Sequence, residues 1–138
     1  VARMTPKKFK TRDVSRERLR TYLKKAQEFL RTAEAALELG DWDAVGLNAV
    51  HSAISAADAL LAYHAGVRAS GDSHHDAAGL LERHVQDDQI GSKTKTFSKI
   101  LTLKNLAAYE DREVSEAEAR DAAKLARRFL EWAQSRLV

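Results

Sequence analysis

The chain has 138 residues, 44% hydrophobic and 31% charged, which suits one domain with a real core and is a globular balance, not that of a disordered chain. It has no cysteine, so neither a disulfide framework nor thiolate chemistry is available. The net charge of +3 says little, but its distribution says more: Arg3, Lys7, Lys8, Lys10 and Arg12 precede the first acid, Asp13. Such a segment would favour a polyanion such as RNA, and it is equally the composition of a solvated tail and helix face. One proline, with six glycines falling mostly between periodic segments, favours helix over sheet. No apolar run approaches the roughly 20 residues of a membrane span, and no signal-type apolar segment opens the chain. A cytoplasmic protein without membrane association is the expectation.

Residues 1–13, with Pro6 and no apolar period, are expected as a flexible basic arm, and residues 14–138 as a single helical bundle. A first helix is predicted from about Ser15 to Leu39, on the stripe Leu19, Leu23, Ala26, Leu30, Ala33 and Leu37, with Gly40 as its stop. The second, from Trp42 to about Ala65 with Asp41 as N-cap, is apolar over most of its circumference and should be central. Between Val45 and Tyr63 its one formal charge is Asp58, seven residues after His51 and nearly in line with it. That pair is either a satisfied polar patch between helices or part of a site.

The segment Gly66–Ser73 reads as a loop, and a short third helix follows from His74 to about Val85. His74 and His75 are adjacent and so point about 100° apart, which argues against a shared metal ion; no metal and no cofactor is expected. The fourth helix is predicted over Lys93–Tyr109. At helical pitch Phe97, Leu101, Lys104 and Ala108 share one row, placing Lys104 on an apolar arc where its ammonium needs an anionic or carbonyl partner. A carboxylate such as Asp58, or a ligand phosphate, would serve; a snorkelling lysine is the plainer alternative. Asn105, Tyr109, Asp111 and Arg112 follow at the same helix end. Ser115-Glu-Ala-Glu118 then forms a capping box for a last helix reaching the C-terminus. The sum is an all-α, up-and-down bundle of four to five helices with no β-sheet and with Ile54, Leu61, Leu101, Phe129 and Leu130 buried.

The hairpin Ala35-Ala-Leu-Glu-Leu-Gly-Asp-Trp-Asp-Ala-Val45, the loop Gly66–His74 and the run Leu103-Lys-Asn-Leu-Ala-Ala-Tyr-Glu-Asp111 before a long closing helix together resemble the HEPN domain family. The resemblance covers about residues 15–137. It implies a helical bundle that dimerises and works either as a metal-independent ribonuclease or as a non-catalytic binder of nucleotides, RNA or protein partners. Toxin–antitoxin and defence systems are the implied settings, with a nucleotidyltransferase-type or antitoxin partner. Active members carry Arg, a polar residue and then His near the end of a late helix; here that stretch reads Lys104, Asn105 and Tyr109. Tyrosine, with an ordinary pKa near 10, is a poor base at neutrality, and lysine lacks the bidentate fork of arginine. What remains suits anion binding, with a tyrosine ring free to stack on a base. The leading expectation is a non-catalytic HEPN-like homodimer whose cleft holds Lys104, Asn105, Tyr109, Asp58, Asp111 and Arg112. The alternatives are a ribonuclease toxin using Lys104, Asn105 and Tyr109, and a purely structural interaction module.

Overall fold

The second helix is the axis of the molecule because it offers apolar surface on every side. In the computed structural model, which describes residues 9–70, 74–109 and 112–137, α1 spans Leu19–Leu39 and α2 spans Trp42–Ala65. Val45, Ala49, Val50, Ala53, Ile54, Ala57, Leu60 and Leu61 of α2 are all buried. Its small residues admit α1 so closely that the buried Ser52 hydroxyl donates to the Ala26 carbonyl at 2.8 Å. That bond satisfies a hydroxyl that would otherwise be costly to bury. Gly40 and Gly66 end the two helices with φ of 76° and 64°, left-handed values that a side chain would strain. By length and composition α2 could cross a membrane, contrary to the sequence expectation, but it lies mostly buried inside the bundle.

Around this axis pack α3 (His75–His84), α4 (Ile90–Leu101), α5 (Leu103–Tyr109) and α6 (Glu116–Ser135). Phe97 of α4 stacks on Phe129 of α6 with ring centroids 5.3 Å apart, and Trp132 lies 5.6 Å beyond Phe129. Leu80 and Leu81 of α3 and Ile100 and Leu101 of α4 complete this core. The indole Nε1 of Trp132 donates to Asp87 at 3.0 Å, so its polar edge is satisfied. The capping box at Ser115 and Glu118 forms as its sequence requires, and Ile54, Leu61, Leu101, Phe129 and Leu130 are buried. The architecture is an all-α bundle.

The expected elements differ from the observed ones in four places. The fourth helix begins at Ile90 and breaks at Thr102, whose hydroxyl donates to the Lys99 carbonyl at 2.6 Å. Lys104 therefore lies in the first turn of a separate short helix. A two-stranded antiparallel ribbon, not expected from the sequence, pairs β1 (Thr11–Asp13) with β2 (Val67–Ala69). It forms where Gly66 turns the chain back alongside the N-terminal segment. The predicted arm over 1–13 is thus docked from Phe9 onward, with Phe9 against the core; residues 1–8 lie outside the described residues. Asp41 stands at the N-cap position without a side-chain cap bond. Asp43, two residues on, accepts from the Val114 N–H at 2.7 Å instead, tying the residue before the α6 cap to the start of α2.

Candidate functional site

The short helix α5 divides the expected site residues between its two faces. Leu103 packs on the main core, while Leu106 and Ala107 pack on a smaller cluster with Val45 and Val114. The close seat depends on Gly46, where a Cβ would meet Ala107 at 3.4 Å and Val114 at 3.3 Å. Asn105 and Ala108 consequently face solvent, as does Tyr109 at 78% exposure. Lys104 is half-buried on the flank, where the titratable groups it acts on are His51 of α2 and His74 before α3. Asn105 and Tyr109 are one turn apart on the exposed face, and Lys104 points elsewhere.

Asp58 is buried on α2, and the partner that makes this tolerable is Arg68 of β2, with Nε 3.4 Å from Oδ2. This corrects the expected pairing of Asp58 with Lys104. The Gly66 turn carries β2 back over α2, which sets the Arg68 guanidinium beside the carboxylate and 5.8 Å from the Tyr22 ring centroid. Burial pushes Asp58 up to about 6, against the opposing pull of Arg68, Lys25 and Arg12. His51, two turns before Asp58, lies with its ring 5.4 Å from that of Phe29. Burial first and Lys104 second hold His51 below its ordinary value; burial, Lys104, Arg68, His51 and His75 do the same to His74.

Four elements thus converge on one patch: α2 with His51 and Asp58, β2 with Arg68, the start of α3 with His74, and α5 with Lys104. At neutral pH the histidines are uncharged while Lys104 and Arg68 are cationic, with Lys25 and Arg12 behind them. Asp58 faces three cations, Arg68, Lys25 and Arg12, and Lys104 stands beside the two imidazoles, an arrangement fit for an anion. Sequence reasoning assigns Arg68 no role because its segment reads only as a loop, and it leaves His51 and His74 unassigned. The spacing of His51 and Asp58 was the available signal.

The remaining expected residues fall outside this patch. Arg112 forks onto Glu118, with Nη1 and Nη2 donating at 2.8 and 2.9 Å to its two oxygens, and Nη1 also reaches the Glu113 carbonyl at 3.0 Å. It braces the capping box. Asp111 lies outside the described residues. His75 is exposed, and among the described residues no group of three or more His, Asp or Glu side chains is arranged to hold a metal ion.

Two solved structures share this fold. The structure of TT1696 from Thermus thermophilus superposes with a TM-score of 0.64 at 23% identity, covering 87% of this chain and 98% of that one. ST0689, an archaeal HEPN homologue, gives the same TM-score and coverage at 18% identity. No curated protein matches the chain. The sequence profile of the HEPN domain matches residues 19–136, from the first turn of α1 to the end of α6. The chain belongs to the HEPN domain family.

Proposed function

We propose that this HEPN protein binds a nucleotide or single-stranded RNA by its phosphates, using the patch of Lys104, Arg68, His51 and His74. The single observation that carries the reading is that these four basic groups, from four separate elements, lie within electrostatic reach of one another: Lys104 acts on His51 and His74, and Arg68, paired with the buried Asp58, acts on His74. Arg68 offers a phosphate two parallel donors, and Lys104 adds a point charge at the same rim. Tyr109, exposed one turn beyond Asn105, presents a ring on which a base can stack. In the two-fold dimer implied by the family, the exposed face of α5, with Asn105 and Tyr109, would meet its copy across a cleft. Light scattering tests that part: a monomer at micromolar concentration removes the dimer and leaves the patch.

The binding test uses Lys104→Met, which keeps the apolar stem and removes the charge. RNA affinity should fall about tenfold or more while the melting temperature stays unchanged or rises. Unchanged affinity would sink this reading. A second reading, metal-independent RNA cleavage, has one observation in its favour: His51 and His74 both lie within electrostatic reach of Lys104, and burial holds both below their ordinary value. A nuclease assay on the purified protein, with a His51→Gln/His74→Gln control, decides it. RNA left intact at acidic and neutral pH removes that reading.

A further inference from the structure

The N-terminal segment is held to the bundle by a side chain in a notch. Gly79 lies inside α3, where glycine costs about 1 kcal/mol relative to alanine, and the space it leaves is filled. A Cβ there would stand 2.3 Å from Cζ and 2.8 Å from Cε1 of Phe9, so only glycine admits the ring. Arg83, one turn on, sets its guanidinium carbon 4.9 Å from the Phe9 ring centroid. From this anchor the chain runs directly along β2. Ser70 N–H donates to the Lys10 carbonyl at 3.0 Å, Thr11 pairs with Ala69, Arg12 with Arg68 and Asp13 with Val67, and Val14 N–H donates to the Gly66 carbonyl at 3.0 Å.

That ribbon would not hold by itself. Three residues per strand is too little, and its central cross-strand pair is two arginines, a like-charge pair that opposes pairing. Asp58 offsets the repulsion from below, and Phe9 supplies the apolar anchorage. The elements so fixed are β2, which carries Arg68, and α3, which opens one residue after His74.

We infer that residues 9–14 are a positioning strap for the ligand site, with Phe9 locked at Gly79 so that Arg68 and His74 are held at one spacing. The inference rests on the phosphate-binding reading above. Phe9 and Gly79 touch no ligand; they act through Arg68 and His74. Loss of the lock frees β2 and lets α3 shift, while the seam of α2, α4 and α6 stays packed.

The test measures affinity of the full chain for a short single-stranded RNA across a salt series, together with amide exchange at Ser70. Phe9→Ala and Gly79→Ala should each weaken binding by about tenfold and lower the salt slope by as much as Arg68→Met does. The Phe9→Ala/Arg68→Met double variant should lose less affinity than the sum of the two single losses, since both act through Arg68. Phe9→Leu should restore affinity in the Gly79→Ala background, because the shorter side chain clears the new methyl. Exchange at Ser70 should accelerate in both single variants, with core amides of α2 and α6 unchanged. If Arg68→Met weakens binding while Phe9→Ala retains both affinity and Ser70 protection, the strap is overturned and the binding reading stands. If the wild-type chain has no RNA affinity, the binding reading fails, and slow Ser70 exchange in Phe9→Ala would overturn the strap as well.

Discussion

The seam of α2, α4 and α6 and the basic patch over α2, β2 and α5 are built by opposite rules. Along the seam, Phe97, Phe129 and Trp132 stack, alanines let the helices close, and α6 begins on a complete capping box. Each local preference there agrees with the global fold. Around the patch they disagree: α5 is a seven-residue fragment after a break, α3 starts without a side-chain cap, a glycine sits inside α3, and a carboxylate is buried. Conflicts between local and global preference collect at functional surfaces, because selection there acts on binding as well as stability. The contrast makes testable claims about what each region does when altered.

The largest effect belongs to the seam. Phe129→Ala should destabilise the protein by about 3–5 kcal/mol, read by urea unfolding, because the ring is fully buried between Phe97 and Trp132. The folded fraction should bind RNA as tightly as wild type. Weaker binding per folded molecule would break the division between the two regions.

Asp58→Asn should act in the reverse sense. A carboxyl whose pKa is raised from 3.8 to about 6 holds its proton more tightly folded than unfolded. The folded state is therefore penalised progressively as pH rises from about 4 to about 6, and the penalty is complete at neutrality. Removing the charge should stabilise the protein by about 2–3 kcal/mol at pH 7.5, a gap that shrinks towards pH 4. Arg68 is partly exposed and regains water when its partner is lost. Destabilisation at pH 7.5 would instead place Asp58 with the seam.

The seam was legible in the sequence and the patch only in part, for a physical reason. Periodicity reports which face of a helix is apolar, and it placed α1, α2 and α6, the glycine stops and the Ser115 box. It could not report the break at Thr102, since threonine continues a helix as readily as it bonds its own backbone. Nor could it see that Val67–Ala69 would find a strand in Thr11–Asp13, because that pairing joins segments with no shared pattern. Lys104 and Asp58 stood out as charges on apolar arcs. Arg68 and His74, in surface segments, became informative only once the tertiary fold brought them beside those two.

The pH dependence of binding probes the patch alone. Lowering the pH from 7.5 to 5.5 protonates Asp58, whose pKa is about 6, beside Arg68, Lys25 and Arg12. That loss of negative charge should raise RNA affinity at fixed ionic strength about three- to tenfold. Burial and Lys104 hold His51 and His74 below their ordinary value, so charging them as the pH falls disfavours the unliganded fold. Asp58→Asn should flatten the gain, and His51→Gln/His74→Gln should leave it in place. A flat wild-type profile would mean that the ligand does not approach Asp58 and Arg68.

The smallest effect concerns Arg112, which sequence position puts at the end of the patch and geometry assigns to the frame of α6. Its guanidinium grips both oxygens of Glu118, whose Oε1 also accepts from the Ser115 N–H at 2.9 Å while Ser115 Oγ accepts from Glu118 N–H at 3.1 Å. The Arg112 contact foremost, with the Ser115 N–H next, holds the Glu118 carboxyl down at about 2. The group is exposed, so solvent and salt screen the ion pair, and its loss should be slight. Ser115→Ala, which removes the cap itself, should cost about 1 kcal/mol, and Arg112→Ala less than that. Neither should change RNA affinity, because the fork is turned towards α6. Thermal melts and binding isotherms on the two variants measure both quantities together. Should Arg112→Ala weaken RNA binding as Lys104→Met does, the positive surface would continue past α5, and the line between frame and site would have to be redrawn beyond Tyr109.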